Sequence, residues 1–550
     1  MALKFLLIAA CLPWLIKTYF NGLTFVHVAQ LEGYRWRKLA GWLKKQSFFQ
    51  LVQARDLVMG AALSAITGIA CFFPPSFPAL ATVTLLWFAG PVYLILTRPE
   101  VTSKKPLNLT PRAVRLTGMF KFLTLVETVW LINRCFSPVG SDNTWVMSYS
   151  RGMPSFWGGF WLIGLLSPVN VLLANIFIQP LENRINKYYF RKSSRKVRSF
   201  DELKIIGITG SYGKTSVKYI LHTILSAAYP TLMTPESYNT PMGISKVIQN
   251  DLNEDYDYFI VEMGARQRND IQELCRLTPP HIGIITTIGQ QHLETFKSLE
   301  NIARTKGDLV RALPKDGLAV LNFDNPPSLR IKNLKAPVVG IGIENREADL
   351  RASNIHHDEN GLKFLVKDRR TGEEAEFVSR LLGRQNVYNF LSATAAALAL
   401  GLDLSFIARR VTEVRPVPHR LEMIKGEGGV IVIDDAFNAN PAGAGMALEV
   451  LKTFETGRRL LITPGLVELG ENQEQENLRL GELAAQACDY IMLVGEKQTA
   501  AIACGLRKQG FTDFSVCADL DEAVAEMQAM VQAGDVVLFE NDLPDLIFDQ

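Results

Sequence analysis

Apolar residues crowd the first third of the chain into five stretches, at about residues 3–20, 55–73, 76–97, 115–134 and 157–178. Each approaches the ~20 residues that a helix needs to cross a bilayer, so the pattern predicts five membrane spans. After residue 198 the period changes. Short apolar runs alternate with helical stretches, which predicts mainly parallel sheets covered by helices. Strands are expected at Lys204–Thr209, Tyr258–Glu262, Ile282–Thr287, Ala319–Asn322, Val430–Asp434, Arg459–Thr463, Tyr490–Val494 and Asp535–Phe539. A hairpin-rich insert is expected between Val338 and Glu376, where Asn360-Gly361 and Thr371-Gly372 interrupt alternating patterns. A second α/β unit is expected to begin near Arg415-Pro416.

Charge orients the helices, because short cytoplasmic loops collect lysine and arginine. Arg35, Arg37, Lys38, Lys44, Lys45 and Arg55 follow the first stretch; Arg98, Lys104, Lys105, Arg112 and Arg115 follow the third; Arg184, Lys187, Arg191, Lys192, Arg195, Lys196 and Arg198 follow the fifth. The loops between, Phe73 to Phe77 and Cys135 to Phe156, are basic-poor. This parity places the N-terminus outside and everything after Pro180 in the cytosol, as expected of a multi-pass protein of the cell membrane. The first stretch resembles a signal peptide in length, but no small-x-small cleavage site follows it, and the parity holds only if it stays. Lys121 and Glu127, six residues apart in the fourth stretch, point away from each other. One is expected to snorkel and the other to bond a neighbouring helix.

Composition adds exclusions. The net charge of +3 over 550 residues is explained by the juxtamembrane runs, so no nucleic-acid partner is expected. The seven cysteines show no Cys-x-x-Cys spacing and no histidine cluster, which points to reduced thiols and no zinc site.

The chemistry starts at residue 207. Gly-Ile-Thr-Gly210-Ser211-Tyr-Gly213-Lys214-Thr215-Ser216 follows the strand-like run Leu203 to Ile208 and opens a helical pattern. Such a turn lets backbone N–H groups approach phosphates, while the lysine neutralises charge and the Thr215 hydroxyl completes a Mg²⁺ shell. ATP and Mg²⁺ are the expected cofactors. The spacing departs from the strict P-loop, since Ile208 stands where its first glycine belongs. Two carboxyl-edge residues follow: Glu262 ends a predicted strand, and His292 lies just past another. With Thr215 they form a candidate hard-cation site. Lys306 stands fourteen residues after His292, and by its sequence alone it reads as a surface lysine on a helix.

Taken in order, these motifs closely resemble the Mur ligase superfamily, the ATP-dependent amide ligases of cell-wall peptide assembly, and within it most of all the branch that adds D-alanyl-D-alanine. The resemblance covers about residues 200–550. It implies a P-loop ATPase central domain at 199–410 and a smaller Rossmann-like α/β domain at 411–550; the apolar stretches make 1–198 the expected membrane domain. It implies that Lys214, Lys306 and His292 are catalytic; that Thr215, Glu262, His292 and a carbamylated Lys306 hold metal; and that Asn239 and Asn438 face substrate. Gly210, Ser211, Gly213, Lys214, Thr215 and Ser216 would cradle the phosphates. In Leu382-Gly-Arg-Gln385-Asn386-Val-Tyr-Asn389, Asn386 and Asn389 would contact adenine, with Gln385 where a histidine is usual. Arg420 and Asp435 would reach ATP across the cleft.

The implied reaction transfers the γ-phosphoryl group of ATP to a carboxylate and lets an amine displace the phosphate. Two departures qualify its substrates. Membrane helices stand where the family's soluble UDP-sugar-binding domain is expected, so the donor is expected to be a lipid-linked or polymeric envelope peptide. At the other end, Thr463-Pro-Gly-Leu-Val-Glu468 replaces Gly-Asp-Met-x-Glu, and Phe539-Glu540-Asn541-Asp542-Leu-Pro544 replaces a Lys-Gly-Ser segment, so the acceptor is expected to carry a cationic amine and fewer carboxylates. The alternatives are a poly-γ-glutamate-type synthase coupled to export and a non-catalytic nucleotide-binding membrane scaffold.

Overall fold

The computed structural model describes residues 2–47, 51–52, 54–71, 77–98, 106–136, 145–235, 238–289, 293–358, 360–436, 440–467 and 469–541. The described residues up to Asn186 form one compact unit, and those from Lys187 to Asn541 form another.

The first unit is helical, with long helices at Ala2–Leu31, Ala54–Cys71, Phe77–Leu96, Pro111–Phe136, Trp145–Leu165 and the start of Ser167–Arg198. A tryptophan stack runs through it. Trp87 lies 5.1 Å from Trp157 and 5.4 Å from Trp14, ring centre to ring centre, and Trp14 Nε1 donates to Trp87 O at 2.8 Å. Buried charges are paired, as burial requires: Lys17 bonds Asp56, and Arg115 holds Glu182 through two nitrogens at 2.6 and 3.0 Å. Glu127 accepts from Asn170 Nδ2 on the neighbouring helix at 2.7 Å, while Lys121 sits over the Tyr19 ring at 4.4 Å. The two side chains do not meet.

Among the described residues, two helices are long and apolar enough to cross a membrane, Ala54–Cys71 and Pro78–Leu96. The expected fifth span, 157–178, is not one straight helix. Met153–Leu165 and Ser167–Arg198 pass the same test together but meet at a bend of 63°. Pro168 follows the break, and a proline cannot donate the backbone bond that would carry a helix through it.

The second unit contains two sheets. The first has nine strands: β1 (Lys204–Thr209), β2 (Thr231–Met233), β3 (Tyr258–Glu262), β4 (Ile282–Ile285), β5 (Leu318–Asn322), β6 (Val338–Gly342), β7 (Leu350–Asp358), β8 (Gly361–Asp368) and β9 (Glu374–Ser379), in the order β2-β3-β1-β4-β5-β6-β7-β8-β9. It is parallel through β7 and antiparallel beyond. The hairpins therefore begin at β7, and Val338 opens a strand parallel to β5. β1, β3, β4 and β5 are almost wholly buried, so they read as continuous apolar runs. The chain crosses β1 between β3 and β4, which opens a crevice at the carboxyl ends of those three strands.

The second sheet comprises β10 (Glu422–Lys425), β11 (Ile431–Asp435), β12 (Arg459–Thr463), β13 (Tyr490–Val494), β14 (Phe514–Cys517) and β15 (Val536–Glu540), ordered β10-β11-β15-β12-β13-β14. Only β10 runs antiparallel in it. The strands that the pattern did not predict, β2, β10 and β14, all lie at sheet edges, where one flank is solvated and polar residues such as Glu422 and Lys425 interrupt the run.

Candidate active site

β1 delivers the glycine-rich turn into the crevice. Gly213 adopts φ 80° and caps the Lys214–Ser226 helix. A Cβ on Gly210 would stand 1.8 Å from Thr286 Oγ1, and one on Gly213 would stand 2.4 Å from Asn389 Oδ1, so neither position tolerates a side chain. The turn is fixed to the segment after β4: Ser211 N donates to Thr287 O at 2.6 Å, Ser211 Oγ donates to Gly289 O at 2.9 Å, and Tyr212 bridges to Thr287. Ser216 sits half-buried in the first turn of the helix, whose N-terminus favours an anion.

Lys214 folds back over the turn, donating to Gly210 O at 2.8 Å and Ser211 O at 3.2 Å. Burial pulls its ammonium down to about 8, against the opposing pull of Glu262. Lys306, on the Leu299–Arg311 helix that Ser298 caps, reaches the same Gly210 carbonyl at 2.6 Å. It is buried, and desolvation followed by the charge of Lys214 holds it well below the ordinary lysine range.

Glu262, at the end of β3, gathers the opposite charge. Its Oε2 accepts from Thr215 Oγ1 at 3.1 Å and lies 3.1 Å from Lys218 Nζ, while Oε1 accepts from Asn239 Nδ2 at 3.0 Å. Burial alone would raise this carboxyl, but Lys218 and Lys214 together with these hydrogen bonds hold it below its usual value. Lys218 escaped the sequence reading. Its signal was its position four residues after Lys214, on the same face of the helix, inside a buried apolar run. Lys218→Met is expected to destabilise the fold by about 3–5 kcal/mol by leaving Glu262 buried without its cation. Thermal unfolding of the detergent-solubilised chain checks this, and an unchanged melting temperature would contradict it.

Asn389 packs on Gly213 and donates to Asn386 Oδ1 at 2.8 Å; Asn386 in turn donates to Leu382 O at 2.7 Å. Both asparagines thus buttress the phosphate turn. From the second sheet come Arg420 and Asp435. Burial lowers the Arg420 guanidinium, and the nearby charges of Glu262 and Asp435 oppose that shift. Asp435 and Glu540 are register partners at the carboxyl ends of β11 and β15. Glu540 is fully buried beside Asp435. Burial and the neighbouring Asp435 push it well up, and Asp435 itself rises to about 6, chiefly through burial. Two adjacent acids share this edge with less than two full charges. His292, Asn438, Glu468, Asp542 and Pro544 lie outside the described residues.

Two family models match this second unit: the Mur ligase middle domain over residues 208–397 and the Mur ligase glutamate ligase domain over 419–540. A UDP-N-acetylmuramoyl-tripeptide–D-alanyl-D-alanine ligase of Escherichia coli is 30% identical over 348 residues, covering 63% of this chain and 75% of the relative. The chain belongs to the Mur ligase family. A ligase of the same description from Mycobacterium bovis is 33% identical over 362 residues, covering 61% of this chain and 70% of the relative. Among solved structures, MurF from Acinetobacter baumannii aligns with a TM-score of 0.59 at 25% identity, covering 65% of this chain and 78% of that one. MurF ligase from Thermotoga maritima, in complex with ADP, shares the fold with a TM-score of 0.58 at 24% identity, over 65% of this chain and 80% of that one.

Like other Mur ligases, the chain is an ATP-dependent ligase that works with Mg²⁺, of the kind that builds peptidoglycan precursors. Its helical region before residue 208 is extra to both matched domains. The donor set fits the metal. Two oxygens 90° apart on an octahedral Mg²⁺ stand ~3 Å from each other, and Thr215 Oγ1 and Glu262 Oε2 are 3.1 Å apart.

Proposed function

We propose that this Mur ligase is a membrane-anchored enzyme that joins the carboxylate of an envelope peptide, soluble, lipid-linked or polymeric, to an incoming amine through an acyl phosphate. Its parts are a helical membrane domain at 1–198, an ATP-binding domain at 199–410 and a C-terminal domain at 411–550. The observation that carries the reading is the convergence of Lys214 and Lys306 on the Gly210 carbonyl, beside the Thr215–Glu262 pair.

Mg²⁺ held by Thr215, Glu262, His292 and Lys306 would offset the repulsion between the γ-phosphate and the donor carboxylate. Lys214 and the N–H groups of the turn hold the phosphates in line. A donor oxygen bonds to phosphorus as the bond to ADP breaks. The amine nitrogen then bonds to the acyl carbon as phosphate leaves, and the proton that the nitrogen gives up goes to the departing phosphate. Arg420 reaches from the C-terminal domain toward the same charge, and Asn239 and Asn438 face the donor. Lys306 serves as a carbamate: buried with its bond on a carbonyl, its amine has lost the solvation that favours the charged form, and the neutral amine is the form that takes up CO₂. The named relatives suggest UDP-N-acetylmuramoyl-tripeptide as a donor and D-alanyl-D-alanine as an acceptor to try first. Asp435 would favour an acceptor that presents a cationic amine, since Glu540 beside it is fully buried and its carboxyl is pushed up. The test incubates the solubilised chain with ATP and these precursors and reads phosphate release and product mass. Phosphate released without any joined product would contradict the reading.

Two apolar helices support insertion, and the parity of basic residues over the five apolar stretches supports an N-terminus outside. Tags at the N-terminus and at residue 145 are expected to react with impermeant reagents on intact cells, and tags at residue 105 or after 195 are expected not to. External labelling near Arg195 would overturn this topology.

A further inference from the structure

A groove of about 1090 Å³ opens on the outer face of the Leu299–Arg311 helix, and its lining includes Arg268, Arg304, Arg311, Arg330 and Lys332. Two acids, Glu300 and Asp308, line it as well. Asp308 is engaged by Arg311 at 2.7 Å, and Arg268 donates to Asn301 Oδ1 at 2.6 Å. The side chains of Arg304, Arg330 and Lys332 make no hydrogen bond or ion pair among the described residues, and all three are exposed. Five cations facing two anions in one concavity repel each other and attract a compact anion. Arginine forks suit phosphate oxygens in particular.

The position of the groove connects it to the reaction. Thr305 lines it, and the next residue, Lys306, reaches Gly210 O in the phosphate turn. One helix, about 10 Å across, therefore separates the two. A chain passing round that helix covers about 16 Å, about five extended residues, so a donor with its carboxylate at the turn could place a group that far along it in the groove. The groove starts where Arg268 follows β3 and Leu299 opens the helix, at the carboxyl edge of the sheet.

We propose that this groove binds the diphosphate of the carboxylate donor, and so holds the far end of that donor while its carboxylate reacts. The inference rests on the ligase reading above, and its test does not depend on turnover. Equilibrium dialysis would follow inorganic pyrophosphate, UDP and farnesyl diphosphate on the detergent-solubilised full chain, with the nucleotide site saturated by a non-hydrolysable ATP analogue. Saturable binding is expected to persist in Lys214→Ala. It is expected to weaken about tenfold or more in the triple variant Arg304→Glu, Arg330→Glu, Lys332→Glu, and to fall as salt rises. Tighter binding of UDP would assign a nucleotide-linked donor, and tighter binding of farnesyl diphosphate a lipid-linked one. Absence of binding beyond the nucleotide site, or binding unchanged in the triple variant while its analogue affinity stays normal, would overturn the proposal. Joined product from a donor lacking phosphate would leave the ligase reading intact even then.

Discussion

Lys214→Ala is expected to lower ATP turnover by about 10²- to 10³-fold, because one preorganised cation is removed from the place where phosphoryl charge develops. The substitution should leave the fold in place. Among the described residues Lys214 bonds two carbonyls of its own turn and none of the core, whereas the turn itself is held by Ser211, Tyr212 and Asn389. Membrane insertion should be normal, since the turn belongs to the second unit. Phosphate release by the purified variant is the measurement, with circular dichroism to confirm folding. Retained turnover would remove the phosphate turn from the mechanism.

Lys306→Ala is expected to lose turnover to a similar extent and to regain part of it with added formate or acetate. A free carboxylate can enter the space that the truncated side chain leaves and supply the oxygens of the proposed carbamate. Lys306→Arg is expected to stay inactive and to show no rescue, because a guanidinium neither takes up CO₂ nor ligates a cation. Turnover measured with and without the acids separates the two roles. Near-normal rates in Lys306→Arg would mean that a plain positive charge suffices, and the carbamate would have to be abandoned.

The chain disclosed its centre better than its margins. β1, β3, β12 and β13 end where the apolar runs end, because strands buried on both faces leave little choice of residue. The phosphate turn was legible because its glycines answer a steric demand that Thr286 and Asn389 make explicit. Edge strands such as β10 and β14 were not, since a half-solvated strand needs no continuous apolar run. Lys218 was passed over because a lysine in a helix ordinarily reaches solvent; its burial depends on Glu262, forty-four residues away, which local spacing does not show. The bend between Leu165 and Ser167 was hidden by hydropathy, which counts Pro168 as one more residue in an apolar window. The Asp435–Glu540 contact needed the strand order, because β15 inserts between β11 and β12 and no sequence interval announces that.

The central claim is that the donor carboxylate is phosphorylated before the amine attacks. Oxygen transfer tests it most directly. A donor that supports phosphate release is labelled with ¹⁸O in its reacting carboxylate, and the released phosphate is read by mass spectrometry after product forms. The account predicts one labelled oxygen in each phosphate, delivered by the carboxylate and absent when the amine or ATP is omitted. Joined product accompanied by unlabelled phosphate would contradict it.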